Sequence, residues 1–174
     1  SLAALSVCTE MIHDSNVLKT ALESFQGVKR RFEFIINKPN LVFIDDYAHH
    51  PTEINAAILT AKKLFPDKKI TGIFQPHLYS RTRDHAEGFA AILDELDEVI
   101  LLPVYPAREK PIEGVSSEMI FRKMKSANKR LLKKEELVHE LDIKKIDVLL
   151  TIGAGDIDTL VVPIEEKIKR EVAG

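Results

Sequence analysis

The stretch LVFIDDYAHHPTEINAAILTAKKLF (41–65) changes its hydrophobic period halfway along. Residues 41–45, LVFID, are a short, nearly unbroken apolar run, the pattern of a strand covered on both faces. Over 52–65, Ile54, Ala57, Ile58, Ala61, Leu64 and Phe65 recur at helical spacing and make one apolar face. Between the two lies DDYAHHP, polar and closed by a proline suited to a first helical turn. Strand, polar loop, helix is the repeating unit of an α/β protein.

The same alternation continues toward the C-terminus. KITGIF (69–74) reads as a second buried strand, followed by a helix over 82–96 with Ala86, Phe89, Ala90, Leu93 and Leu96 on its apolar face. EVILL (98–102) is a third strand, and the loop PVYPAREKPIEGVSS (103–117) leads to a helix at 117–126. KRLLK (129–133) reads as a short strand, 134–141 as a helix, and DVLLTIG (147–153) as the clearest strand of all. A last helix spans 157–171, with Pro163 either kinking it or lying in its first turn. Toward the N-terminus, FEFII (32–36) is a strand joined to 41–45 by the turn NKPN (37–40), so this pair is expected to be antiparallel. The order predicts an α/β fold: a doubly wound, mostly parallel sheet of about six strands, one of them antiparallel, flanked by helices. Two helices precede it in 1–26. LAALSVCTEMI opens with no visible cap, and Asp14 or Ser15 caps VLKTALESF, whose Val17, Leu18, Ala21, Leu22 and Phe25 share a face. An abrupt start of this kind is expected of a truncated domain whose other parts cover that face.

Composition narrows the function classes. The 174 residues carry 25 Lys and Arg against 27 Asp and Glu, a net charge of −2, so there is no electrostatic footprint for nucleic acid or an anionic membrane. With 45% hydrophobic and 30% charged residues the chain is a folded one, long enough to bury roughly 70% of its unfolded surface without covalent staples. The single Cys8 excludes an internal disulfide and a cysteine-based zinc site. There is no apolar run long enough to span a bilayer and no basic leader pattern, so a cytoplasmic location is the expectation.

In open α/β sheets, ligands bind beyond the carboxyl ends of the strands. Those ends carry Asp45, Asp46, Tyr47, His49 and His50 after the first buried strand, and Gln75, His77, Arg81 and Arg83 after the second. Gly153, Ala154, Gly155 and Asp156 follow the last. Acid, imidazole, guanidinium and glycine at three strand ends suggest one convergent pocket, against the plain alternative that loops are polar because they are solvated. Two acids beside two histidines also fit a divalent-metal phosphoesterase, although His77 alone is a poor supply of further ligands. His77 beside Arg81 and Arg83 reads better as an anion site, unless Asp84 or Glu87 takes up those arginines. His85 reads as ordinary helix surface or core. Gly153-Ala154-Gly155 is half of a dinucleotide fingerprint and allows a close approach of backbone to a ligand. No G-x-x-x-x-G-K-[ST] loop occurs. In GVKRRFE (27–33) the adjacent arginines either line a solvated hinge or present one guanidinium to a ligand.

GVKRRFE, DDYAHHPTE (45–53), FQPHLYSRTRD (74–84) and TIGAGDI (151–157) occur in the order and spacing of the Mur ligases, which this sequence resembles over nearly its whole length. Within that family it resembles the members that join L-alanine to UDP-N-acetylmuramate in peptidoglycan precursor synthesis. The ligase that recycles murein tripeptide is the nearest alternative. The resemblance implies a Rossmann-like C-terminal ligase domain over 27–174, with 1–26 the last helices of a central ATP-binding domain. It implies an ATP-dependent, amide-forming reaction through an acyl phosphate, with ATP and Mg2+ held mainly by that central domain. The partners implied are UDP-N-acetylmuramate, L-alanine and ATP. Carried over, Arg31, Asp46 and Tyr47 are ATP-binding, and His49, His77, Arg81 and Arg83 receive L-alanine, with Arg81 on its carboxylate. No metal ligand and no certain catalytic residue is carried over. Many members have arginine where this chain has Leu78, which removes one cation from the alanine site.

Overall fold

The computed structural model describes residues 2–12, 14–25 and 27–172. Two helices come first, α1 (Leu2–Met11) and α2 (Ser15–Ser24). Asp14 caps α2 by accepting the Asn16 N–H at 2.8 Å. The apolar face expected on α2 is exposed: Val17, Leu22 and Phe25 are 52%, 43% and 62% accessible.

Strands and helices then alternate as β1 (Glu33–Lys38), β2 (Leu41–Asp46), α3 (Pro51–Leu64), β3 (Ile70–Phe74), α4 (Tyr79–Leu93) and β4 (Glu98–Leu101). They continue with α5 (Ser117–Lys123), β5 (Lys129–Leu131), α6 (Lys134–Glu140), β6 (Val148–Ile152) and α7 (Val161–Val172). The six strands form one sheet in the order β1-β2-β6-β3-β4-β5, with β1 antiparallel to β2 and the other pairs parallel. This is the expected α/β architecture. Each residue of β2, β3 and β6 is buried, because helices cover both faces.

Alternation along the strands sends side chains into two cores. Val42, Ile44, Val148, Leu150 and Val99 pack under α3, α4 and α5 through Ile54, Ile58, Phe89, Leu93 and Ile120. Phe43, Leu149, Ile73 and Ile100 face the opposite way, onto Leu137 of α6 and Ile164 and Ile168 of α7. The result is three layers. The loops after β2 and β3 leave toward one face and the loop after β6 toward the other, so their carboxyl ends border a crevice.

Several expectations need adjusting. Helix α4 begins at Tyr79 rather than 82, because the chain reverses at Leu78 (φ +72) and the Thr82 N–H already donates to the Leu78 carbonyl at 3.1 Å. Arg81 therefore sits on a rigid helix and not in a loop. Leu64 is 53% exposed rather than core; the C-cap residue Phe65 makes the core contact at that end of α3. Pro163 lies in the first turn of α7, and the segment before it is a 3-10 turn, Asp156–Leu160. Among the described residues no helix is long and apolar enough to cross a membrane.

Candidate functional site

Strands β2, β6 and β3 are neighbours, and Asp46, Ile152 and Phe74 stand level at their carboxyl ends. The three polar loops singled out in the sequence therefore open on one shelf.

The loop after β2 is held by its own acids. Asp46 accepts the Phe32 N–H at 2.8 Å with one oxygen and the Ala48 N–H at 2.7 Å with the other. Both oxygens thus staple the loop, and each keeps a second lone pair. Asp45 is 1% exposed; it accepts the Thr151 hydroxyl at 2.6 Å and the Arg30 Nε–H at 3.0 Å. Burial pushes the Asp45 carboxyl above its ordinary range, although Thr151 and Arg30 pull it down. This acid is consumed inside the fold.

The two adjacent arginines separate. Arg30 turns inward, onto Asp45, onto the Gly153 carbonyl at 2.5 Å and across the Tyr47 ring at 5.0 Å. Arg31 is exposed, 5.9 Å from the centre of the Tyr47 ring, and makes no ion pair among the described residues. Tyr47 carries both guanidinium groups and the edge of His49 at 5.4 Å.

His50 caps α3, its Nδ1 accepting the Thr52 N–H at 3.3 Å while Glu53 closes a capping box. Its ring meets His85 edge-on at 4.8 Å, between α3 and α4, so His50 and His85 are structural neighbours of the shelf. Partial burial would raise the Glu53 carboxyl, but the His49 and His50 N–H groups and the His49 ring hold it below its ordinary value.

His49 and His77 face each other across the shelf with ring centres 6.1 Å apart. His49 Nδ1 lies 3.0 Å from the Tyr47 carbonyl, an acceptor only, so Nδ1 is the donor in that contact and, in the neutral ring, Nε2 has the lone pair. His77 Nδ1 is 3.2 Å from the Arg81 guanidinium, a donor only, so here Nε2 carries the proton. Burial, Arg81 and His49 hold the His77 imidazole below its ordinary value, against Glu109. Among the described residues Arg81 has no carboxylate partner, whereas Arg83 is exposed and paired with Asp84 at 2.8 Å. Of the two arginines, Arg81 is thus the one left for an anion, beside a His77 N–H donor.

The glycines after β6 also make room for neighbouring protein. A Cβ on Gly155 would lie 2.5 Å from Gln75 Oε1 and 2.6 Å from Tyr105 Cβ, and one on Gly153 would lie 2.8 Å from the Gln75 carbonyl. Gln75, 4% exposed, donates to Asp156 at 2.8 Å and accepts the Ile157 N–H at 2.9 Å, locking the β6 loop to β3. Cavities of about 780 Å³ beside Met119 and Arg122, and about 500 Å³ beside Val104 and Leu132, lie to one side of the shelf. Neither hollow is lined by Asp46, Tyr47, His49, His77 or Arg81.

No cluster of three or more histidine, cysteine, aspartate or glutamate side chains forms a metal cage among the described residues. With Asp45 taken by Arg30 and Thr151, and His50 turned to cap α3 and to meet His85, the acids and histidines of the phosphoesterase reading are not gathered into one cluster among the described residues. Residues that sequence reasoning passed over are Arg30, Tyr105 and Glu109. Arg30 is indistinguishable from Arg31 in a run of two, and nothing local ties the proline-rich loop to His77.

A family model described as "Mur ligase, glutamate ligase domain" matches residues 30–155. A UDP-N-acetylmuramate–L-alanine ligase of Flavobacterium psychrophilum is 48% identical over 97% of this chain and 38% of its own length. One of Parabacteroides distasonis is 52% identical over 89% of this chain and 34% of its own. The crystal structure of a UDP-N-acetylmuramate-alanine ligase of Thermotoga maritima superposes with a TM-score of 0.71, at 34% identity, over 87% of this chain and 33% of that one. A murein peptide ligase of Psychrobacter arcticus shares the fold, with a TM-score of 0.65 at 21% identity over 86% of this chain and 32% of its own. The chain spans little more than a third of the length of the curated relatives it matches.

Proposed function

Because the chain belongs to the Mur ligase family, we propose that it is the C-terminal part of a longer ATP-dependent ligase that joins L-alanine to UDP-N-acetylmuramate. In this reading 27–174 is the amino-acid-binding domain and 1–26 the end of the central one. The observation that carries it is Arg81: a guanidinium with no carboxylate partner among the described residues, bonded to His77 and fixed in the first turn of α4. Arg81 takes the carboxylate of L-alanine, and the His77 Nε2–H adds a donor. The His49 Nε2 lone pair faces the same shelf and is suited to accept from the amine. Arg83, tied to Asp84, contributes only to the local field.

The reaction needs this arrangement. A carboxylate is a poor electrophile until phosphorylation by ATP turns one oxygen into a leaving group. The amine then attacks the acyl phosphate and phosphate departs. The attacking nitrogen must be held beside the acyl carbon while water is kept away, which an amino acid clamped by its carboxylate and covered by domain closure achieves. Toward ATP the chain offers Arg31 for phosphate, Tyr47 as an aromatic face and the spare lone pairs of Asp46 for ribose hydroxyls. In this reading Mg2+ is held mainly by the central domain and the ATP phosphates, where it would neutralise the charge between the two anions. The reading carries a cytoplasmic location, where ATP and nucleotide-linked sugars are available.

In the complete ligase Arg81→Ala should raise the KM for L-alanine about tenfold or more and leave that for ATP nearly unchanged. Equal effects on both substrates would refute the assignment. Parallel assays with murein tripeptide as acceptor substrate distinguish the recycling ligase. The 174-residue chain by itself should form no amide.

A further inference from the structure

Glu109 lies in the loop between β4 and α5, outside every motif that pointed to the site. Its carboxylate accepts the Ser80 backbone N–H at 2.9 Å and the Ser80 hydroxyl at 2.5 Å. Helix α4 has no cap of its own: the N-cap position is Leu78, with no oxygen on its side chain and a positive φ of 72°. The first-turn N–H groups of a helix need an acceptor, and a carboxylate there also meets the positive end of the helix dipole. Glu109 supplies both from another segment.

The same loop touches His77. Tyr105 stacks on the His77 ring at 5.7 Å and 19°. Its N–H donates to the Pro76 carbonyl at 2.8 Å, and its carbonyl accepts the Leu78 N–H at 2.9 Å. Behind Tyr105 stands Gly155, where any Cβ would collide with it. The loop is therefore pinned on both sides of the His77–Arg81 turn: Tyr105 holds the ring and Glu109 holds the start of the helix that carries Arg81.

We propose that Glu109 is a positioning residue for the amino-acid site: it caps α4 from outside the helix and so keeps Arg81 against His77. This rests on the reading of that pair as the receiver of L-alanine. The carboxylate is not spent on the substrate. It fixes the direction of the guanidinium before the substrate arrives, so the alanine carboxylate meets a preorganised fork. Its negative charge also opposes the pull of Arg81 and His49 on His77.

The test uses Glu109→Ala, Glu109→Gln and Ser80→Ala in the complete ligase, with Arg81→Ala as reference, and follows the His77 ring by NMR titration in the same proteins. Glu109→Ala should raise the KM for L-alanine about five- to tenfold, with the KM for ATP within about twofold of the parent. Ser80→Ala should move the same KM by less, since the backbone N–H remains. Glu109→Gln keeps an oxygen for that N–H and should recover much of the KM, yet shift the His77 midpoint to lower pH because the charge is gone. An unchanged alanine KM in Glu109→Ala, a parallel rise in both KM values, or an unmoved His77 midpoint in Glu109→Gln would each overturn the proposal. If Arg81→Ala itself leaves the alanine KM unchanged, the amino-acid reading falls. The His77 titration then still decides whether Glu109 sets this pair.

Discussion

Replacing Arg30 by alanine isolates the buried centre of the shelf. The Arg30 side chain is 19% exposed and that of Asp45 2%, with 3.0 Å between Nε and Oδ2. The substitution removes that ion pair, the donor to the Gly153 carbonyl at 2.5 Å and the cation above Tyr47. Removing one partner of a buried pair typically costs about 3–5 kcal/mol, because the other charge stays behind uncompensated. Two features soften this: the Thr151 hydroxyl still donates to Asp45 at 2.6 Å, and the carboxyl can take up a proton. A loss of about 2–4 kcal/mol at neutral pH is expected, which for a chain of this size is roughly 6–12 °C in melting temperature. The pH dependence supplies the sign. Burial already raises the Asp45 pKa in the folded state, and Arg30 is one of the groups that restrains it. A carboxyl with a raised folded pKa contributes stability that is fully present below its unfolded pKa and lost as pH rises through its folded pKa. Without Arg30 the folded pKa climbs further, so the penalty should grow with rising pH and shrink toward about pH 4. Urea unfolding followed by circular dichroism at about pH 7.5 and about pH 5 reads this difference, and Arg30→Ala/Asp45→Asn should recover about 1 kcal/mol or more of the single-variant loss. A penalty that is flat with pH and not relieved by Asp45→Asn would show that the buried charge is not its source.

Three further outcomes follow from the same geometry. Gly155→Ala places a methyl 2.5–2.7 Å from Gln75 and Tyr105, so it should cost about 1–3 kcal/mol in chemical denaturation and shift the His77 ring resonances, whereas Gly114→Ala, with open space but φ +76, should cost only about 1 kcal/mol and leave His77 alone. His77 is a base whose folded pKa is lowered, first by burial and then by Arg81 and His49; its contribution to stability is complete above its unfolded pKa of about 6.5 and is lost as pH falls through the folded value. The difference in unfolding free energy between parent and His77→Gln should accordingly rise with pH up to about 6.5 and then level, and a difference that falls over that window would contradict the burial argument. Arg31 is exposed and has no ion pair among the described residues, so Arg31→Ala should change melting temperature by less than about 2 °C yet raise the KM for ATP in the complete ligase; a stability loss as large as that of Arg30→Ala would remove the distinction between the two arginines.

Much of this molecule is local, and local patterns were readable. LVFID, TGIF and VLLTI are strands because continuous apolar runs satisfy two covered faces, and Ile54, Ala57, Ile58 and Ala61 are buried because the helical repeat puts them on one side. Helix α4 starts three residues ahead of its sequence pattern because its cap is not in its own segment: the acceptor for Ser80 is Glu109, 29 residues away. Leu64 keeps the helical spacing of the apolar face yet stays exposed, because Phe65, past the end of the helix, packs against the core there.

Alternating periods and the polar residues after each strand by themselves determined the α/β class, the antiparallel first pair and the gathering of chemistry at strand ends. Only the tertiary structure decided that β6 inserts between β2 and β3, and that decision brings the three loops together. It also decided that Arg30 faces in and Arg31 out, that the glycines make room for Gln75 and Tyr105, and that Arg81 rather than Arg83 is left for an anion. The reason is physical: hydrophobic periodicity acts over one or two turns of chain. The partners of a charged side chain are chosen by which distant segments the closed sheet lays beside it, here 123 residues apart for Arg30 and Gly153.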